Sequence, residues 1–337
     1  MKAAGNTIIY DEDLRIEACR FQGMARPFPP HFHGYYVIGL VESGERRLSC
    51  RDQEIRIYPG CVLLFHPGDS HGCVQTDGGT LDYRSFHIEK EVMAGWMQRL
   101  TGMGNIQMRQ LPGFSQTVIE DEGVAEAFRA LHERVMDRCP WVQTNERSKE
   151  DAMLHLITLL RDCCGRAFPS VAPSVEPEGM EPEAMELEAM ELEAMELEAM
   201  EHETMEPETI GPETIGPETM EPEAMEAWGS VVEQACSFLE QHYAEHISLD
   251  QLCRRTGVSK STLLRAFSKG KGISPYGYLE TVRIGAAKKL LEQGLPPVEV
   301  ALRTGFSDQS HLTNSFSRFL GVAPGAYRDI FLKDLKA

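Results

Sequence analysis

The sequence predicts an α+β chain of two domains: a β-rich N-terminal domain followed by helices, and an all-α C-terminal domain of two helix-turn-helix units. Three observations carry this. Residues 35–73 run as short apolar or alternating stretches broken by turn dipeptides. A Glu-rich repeat occupies residues 175–227. Beyond it, one short pattern is written twice, as "RRTGVSKSTLLRAF" at residues 254–267 and "LRTGFSDQSHLTNSF" at residues 302–316.

The N-terminal strands are read from "YYVIGLVESGERRLSCRDQEIRIYPGCVLLFHPGDSHGC", where Ser-Gly, Arg-Asp and Pro-Gly separate runs of strand-forming residues. Two amphipathic helical stretches follow, around residues 124–138 and 148–163. Val124, Phe128, Leu131 and Val135 recur at i, i+4, i+7 and i+11; Met153, Leu156, Ile157 and Leu160 keep close to helical spacing. Two packings answer these stripes: onto the β domain, or in part onto a second copy of the chain, which makes a homodimer.

Charge separates the segments. The net charge is −19, and residues 175–227 alone hold 19 Glu with no Lys, Arg or Asp. Residues 1–174 carry 19 basic and 23 acidic side chains, a balance of −4, and residues 228–337 carry 14 and 10, a balance of +4. Nine cysteines without a C-x-x-C pair point to a reduced protein, not a disulfide framework or zinc module. With no 18-residue apolar run and no charged-then-apolar leader, a cytoplasmic protein without membrane association is expected.

The repeat has the form Met-Glu-x-Glu-Ala/Thr. A period of five drifts by about 140° per repeat on a helix, so its Met residues build no apolar stripe. Its Pro-bearing flanks break helices, and its charge opposes collapse, so a disordered or partly helical spacer is expected. As a flexible coil it would span roughly 40 Å. Such a tether transmits no torque, so control by rigid docking through it is not expected. It would act through effective concentration, and its Glu residues could compete with phosphate for basic side chains.

After the repeat the chain reads as helices. Ser248-Leu-Asp-Gln251 is a capping box, Leu249, Leu252 and Cys253 follow at i, i+3, i+4, and Gly257 stops the helix. A second helix carries Leu263, Ala266 and Phe267 on one face. The later copy starts at Pro297, places Val298, Ala301 and Leu302 together, stops at Gly305 and continues with Leu312, Phe316 and Phe319. Between the copies Ser274-Pro275 opens a longer helix, with Leu279, Val282, Ala286 and Leu290 inward, that ends near Gly294 and serves as a rigid spacer.

Opposite Leu263 stand Ser261, Arg265 and Ser268, flanked by Thr262 and Lys269; opposite Leu312 stand Ser310, Asn314 and Ser317, flanked by His311, Thr313 and Arg318. Neither face carries an acid. Arg265 suits a guanine edge and Asn314 an adenine edge, while Lys269 and Arg318 suit phosphate. Two such helices on a rigid spacer enter successive major grooves of double-stranded DNA, roughly one helical turn apart.

Residues 231–331 closely resemble the AraC/XylS family of bacterial transcription regulators, through both turns, "YLETVRIGAAKKLLEQG" and the closing "FSRFLGVAPGAYR". The resemblance implies base reading by Ser261, Thr262, Leu264 and Arg265, then by Gln309, Ser310, His311, Thr313 and Asn314. It also implies activation of transcription, with RNA polymerase as a partner. Leu264 can offer only apolar contact, and Ser261 and Thr262 are small, so the first helix is expected to read fewer bases.

"PPHFHGYYVIGLVESGER" and "GCVLLFHPGDSHG" resemble the cupin-type barrel through which this family senses small-molecule effectors. His31, His33 and His71 sit where cupin enzymes hold a metal, but Val37 and Ile38 stand where those enzymes carry Glu. No metal, cofactor or catalytic residue is therefore expected. His31, His33, Tyr35, His66 and His71 become candidate effector contacts, and Tyr36, Tyr83 and His87 could line the same interior. The expected layout is a cupin-like domain over residues 1–170, an acidic linker over 171–227 and a DNA-binding domain over 228–337. Two other classes remain at this point: a cupin metalloenzyme fused to a DNA-binding module, and an architectural DNA-binder without effector.

Overall fold

Alternation along the strands is what closes the N-terminal domain. In β5 (Arg46–Cys50) burial strictly alternates, sending Arg46, Leu48 and Cys50 inward. In β4 (Tyr36–Ser43) the first six residues are all buried, because both faces of this strand are covered. Tyr36, Ile38 and Leu40 enter one core and Val37 and Val41 another. A strand buried on both sides reads as a continuous apolar run.

The structure, a computed structural model, describes residues 5–51, 53–76, 78–101, 114–136, 148–164 and 222–332. The remaining strands are β1 (Thr7–Asp11), β2 (Ile16–Met24), β3 (Phe28–His31), β6 (Gln53–Ile57), β7 (Val62–Phe65), β8 (His71–Gln75), β9 (Leu81–Ile88) and β10 (Val118–Ile119). They form a six-stranded sheet, β1-β2-β9-β4-β7-β10, and a four-stranded sheet, β3-β8-β5-β6. The strand pairs given for both sheets are antiparallel. Between the sheets lie Val37, Leu48, Ile57, Leu63, Phe65 and Leu81.

Three helices cover the outer face of the larger sheet: α1 (Lys90–Thr101), α2 (Glu122–Met136) and α3 (Lys149–Cys163). Ser148 caps α3 in a reciprocal box with Asp151. All eight residues of the two predicted stripes are buried in one core with Ile38, Leu40, Phe86 and Trp96. Of the two packings open to these stripes, the structure takes the one onto the sheet. Residues 137 and 138 lie outside the described residues, as does the acidic repeat as far as residue 221.

The C-terminal domain is helical throughout: α4 (Pro222–His242), α5 (Leu249–Thr256), α6 (Lys260–Lys271), α7 (Pro275–Glu292), α8 (Pro297–Arg303), α9 (Gln309–Leu320) and α10 (Pro324–Leu332). Each predicted cap is present. Ser248 and Gln251 make the capping box, Gly257 ends α5 at φ 73°, and Ser274 with Pro275 at the first turn opens α7. The left-handed conformation that Gly257 adopts costs glycine nothing. Two helical pairs (α5–α6 and α8–α9) thus build the two helix-turn-helix units on either side of α7.

Two inward faces differ from expectation. In α7 the buried residues include Tyr278, Leu279, Glu280, Arg283, Ile284, Ala287, Lys288 and Leu291, whereas Val282, Ala286 and Leu290 are only half-buried. This helix is enclosed on several sides, so no single apolar stripe governs it. Arg283 donates to the carbonyls of Tyr243 and Glu245 at 2.8 and 2.9 Å, which satisfies its burial. In α8 the buried row is Val300 and Ala301, and Val298 and Leu302 stay 54% and 70% exposed. Thr304 and Phe306 extend that inward row, rotating it from the predicted one.

The two domains meet directly. Residues 1–169 and 222–337 cluster as one unit. Ile8, Cys19 and Phe21 of the larger sheet share a core with Leu291, Phe316, Leu320 and Tyr327 of the helical domain. The Asn6 amide donates to the Gly321 carbonyl at 2.7 Å. Gly321 caps α9 at φ 72°, and a Cβ there would stand 2.6 Å from the Phe21 ring. The tether is therefore not the only link between the domains.

Candidate ligand cavity and nucleic-acid interface

Three histidines share one mouth of the sandwich because β3 and β8 pair antiparallel, with His31 opposite His71. The His31 and His71 rings are 4.5 Å apart, His33 and His71 4.8 Å, and His31 and His33 6.1 Å. Each Nδ1 lies against a backbone carbonyl: His31 on Pro29 at 2.8 Å, His33 on Tyr35 at 2.8 Å, His71 on Asp69 at 3.0 Å. A carbonyl only accepts, so each Nδ1 carries the proton and each Nε2 keeps a lone pair. Burial holds all three imidazoles below their ordinary range, His71 down to about 3, and neighbouring imidazoles add to this for each. They are neutral at physiological pH.

These rings line a cavity of about 80 Å³. Tyr35, Tyr83, Ser85 and His87 complete its polar side, and Phe28, Leu48, Phe65 and Leu81 are among its apolar walls. Its last wall comes from the helical domain, as Phe319 and Leu320 of α9. The Phe319 ring meets His31 edge-on at 5.4 Å.

Of the predicted effector contacts, the structure brings His31, His33, Tyr35 and His71 together. His66 stands apart from the cavity lining: its ring faces Tyr36 and Phe114, and Asp69 and Arg51 are its polar partners. Tyr83 and His87 line the cavity, whereas Tyr36 belongs to the core outside the larger sheet. Val37 lines the cavity and Ile38 turns away into that outer core. Among the described residues no group of three or more His, Cys, Asp or Glu is placed to hold a metal ion.

Behind the cavity lies a buried charged cluster that joins the domains. Lys288 Nζ is 3.1 Å from Glu17 Oε2 and 4.0 Å over the Tyr35 ring. The Tyr327 hydroxyl lies between Glu17 and Glu292, 2.7 Å from the latter. His87 Nδ1 is 3.1 Å from Glu17. Burial alone would raise the Glu17 carboxyl, but the Lys288 ammonium and the His87 hydrogen bond outweigh it and bring it down to about 2. Burial lowers His87, which stays neutral beside that carboxylate. Sequence reasoning missed Glu17, Lys288 and Tyr327. Their local signal is Lys288 itself, a charge at i+4 between Ile284 and Leu291 on one helical face.

On the opposite side of the reader, α6 exposes Ser261, Arg265 and Lys269, with Thr262 and Leu264 half-buried. Ser259 caps α6 by accepting from the Thr262 amide at 3.3 Å. On α9, Gln309, Ser310 and Asn314 are exposed and His311 and Thr313 half-buried. Asp308 caps α9 through the His311 amide at 2.8 Å, and the His311 ring packs edge-on against Phe306. Arg318 does not reach out as a simple phosphate contact. Its guanidinium donates to both oxygens of Glu280 on α7, at 2.6 and 2.5 Å.

Comparison with known proteins decides what this pairing is. An AraC-like ligand binding domain model matches residues 16–160, and a helix-turn-helix domain model matches residues 252–330. The chain is 38% identical, over 99% of both chains, to the uncharacterized HTH-type transcriptional regulator YbfI of Bacillus subtilis (strain 168). The chain belongs to the AraC-type transcriptional regulators. It is a DNA-binding transcription regulator with a ligand-binding domain, of two-domain cupin-like and helix-turn-helix layout. Among solved structures, unsaturated fatty acid-bound ToxT of Vibrio cholerae is 12% identical over 98% of each chain, with a TM-score of 0.45. The DNA-binding domain of AdpA in complex with a target DNA is 31% identical over 31% of this chain and 94% of that one, with a TM-score of 0.30. No helix of the described residues is long and apolar enough to cross a membrane.

Proposed function

We propose that this AraC-type regulator is a cytoplasmic, effector-responsive activator of transcription, acting as a homodimer with RNA polymerase as a partner, and not an enzyme. The observation that carries the reading is the pairing, in one chain, of two acid-free exposed helix faces with a cavity lined by neutral polar groups. Ser261, Thr262, Leu264 and Arg265 read one half-site. Gln309, Ser310, His311, Thr313 and Asn314 read the other, and Lys269 contacts phosphate. His31, His33, Tyr35 and His71 hold the effector. Domain limits of 1–170 and 228–337, with 171–227 as a tether, belong to the same reading. The dimer uses surfaces other than the two α2 and α3 stripes, which the monomer already buries.

Genome-wide mapping of the bound protein tests this. The recovered fragments should share two short elements about one helical turn apart. Fragments with no common element would make the binding non-specific and refute the reading.

A further inference from the structure

The cavity is built by both domains, and this has a consequence for what fills it. A void of roughly 150 Å³ accommodates benzene, and a water needs on the order of 10–15 Å³. At about 80 Å³ the cavity holds a few waters and nothing larger, unless a wall moves. Most of the walls are strands held by ladders of backbone hydrogen bonds. The remaining wall, Phe319 and Leu320, belongs to no strand ladder: it is held through the docking of the helical domain on the sheet, by apolar packing, the Asn6–Gly321 hydrogen bond and the Glu17–Lys288 pair, and Phe319 is itself only half-buried. It is the wall that can yield.

The chemistry of the fixed walls selects the occupant. Three Nε2 lone pairs accept hydrogen bonds and call for O–H or N–H groups. Among the described residues no Asp, Glu, Lys or Arg lines the cavity, and of the charges behind it Glu17 pairs with Lys288 while Glu292 accepts from the Tyr327 hydroxyl, so no unpaired charge awaits an ionic ligand. A charged ligand would be buried without a counter-charge.

We propose that the cavity takes an uncharged ligand bearing hydroxyl or N–H groups, and that this ligand binds by displacing Phe319, in competition with docking of the second recognition helix on the barrel. This deepens the effector reading above and rests on it. Phe319 is a coupling residue, since Arg318 beside it packs at 5.4 Å on its ring and grips Glu280 of α7. Displacing the ring therefore disturbs the pair that sets α9 against the spacer helix. By linkage, a ligand that releases α9 must bind more tightly when α9 is already released.

Benzyl alcohol is a suitable probe, being the Phe319 benzyl group with a hydroxyl attached. Benzoate, benzylammonium and toluene are its anionic, cationic and donor-free counterparts. Calorimetry on the full chain should show benzyl alcohol binding Phe319→Ala on the order of tenfold more tightly than the parent, which must first give up docking. The three counterparts should bind far more weakly. Phe319→Trp, which fills the space, should lose binding yet keep its fold. In the parent chain, saturating benzyl alcohol should speed amide exchange in Pro324–Leu332, the helix that follows α9. Equal binding of benzoate or benzylammonium would overturn the ligand class. Equal affinity for the parent and Phe319→Ala, or unchanged exchange in α10, would overturn the coupling while leaving the cavity as a ligand site. No binding to Phe319→Ala at the solubility limit would overturn the proposal, and the DNA-reading assignment would stand independently on the mapped sites.

Discussion

In the first helix-turn-helix unit, Leu252, Leu263, Ala266 and Phe267 bury against α4 and the start of α7, and among the described residues the sheet domain reaches that core through Phe32 alone, 4.7 Å from the Tyr278 ring. In the second unit, Leu312, Phe316 and Leu320 share their core with Ile8, Cys19 and Phe21 of the sheet domain. The pattern of caps and apolar spacing is nearly the same in both. What differs is the back of each unit, which the repeated residues do not specify. The repeated residues set the contacts within a unit, and the rear surfaces take different neighbours. One unit became largely self-sufficient, and the other became part of the sensor's wall.

The largest expected effect breaks the second unit and spares the first. Glu17→Ala leaves the buried Lys288 ammonium with only the more distant Glu292, 4.0 Å away, which should cost up to about 3–5 kcal/mol. Denaturant unfolding with amide exchange should locate the loss in α9 and α10, with α5 and α6 little changed. Equal loosening of both units would erase the distinction. The pH dependence follows from the same pair. Glu17 falls from an ordinary 4.5 to about 2 on folding, so its contribution is complete above 4.5 and is lost as pH falls towards 2. Lys288 is raised from 10.5, so its contribution is complete below that value. Docking should therefore be insensitive to pH across the neutral range and fail in acid.

A smaller effect compares the reading faces. Arg265→Ala and Asn314→Ala should each cost about 1–3 kcal/mol at the cognate site and relax preference at one base pair. Affinities for single-base-pair variants of a mapped site will report this. If Arg265→Ala weakens random and cognate DNA alike, Arg265 is a phosphate contact and the first unit reads still fewer bases.

The smallest effect concerns the two cations at the helix ends. Lys269→Ala should lower the salt dependence of DNA binding by about one unit. Arg318→Ala should lower it by less, because Glu280 already holds that guanidinium. Equal slopes for both would mean that Arg318 leaves Glu280 when DNA binds.

The features legible in the sequence are those set within a few residues. Ser248, Gln251, Gly257 and Ser274 act on their own helix ends, and all four behave as their local chemistry requires. The rows Leu263, Ala266, Phe267 and Leu312, Phe316 were equally legible, because each helix presents one side to a core. The inward face of α7 was not, since a helix enclosed on several sides has no apolar period to read. Likewise β1, β2 and α1 went unread, where Glu17 and Arg20 interrupt the strand pattern and the helix has only a modest apolar face. In the site, the paired histidines were visible from their spacing. The wall made by Phe319 and the pairing of Glu17 with Tyr327 join residues more than 280 positions apart, and no local pattern announces them.

Gly321 shows how such a junction constrains sequence drift. Helix ends in the left-handed conformation usually carry Gly and sometimes Asn. At Gly257 nothing lies within 4 Å of a would-be Cβ, so exchange for Asn meets only the backbone strain of a left-handed residue. At Gly321 the same exchange would drive an atom against Phe21 and Asn6. The penalty would be felt in the sensor, although the altered residue belongs to the reader. Two glycines with the same role at a helix end thus face different evolutionary scrutiny, and only one of them can vary without a compensating change some 300 residues away.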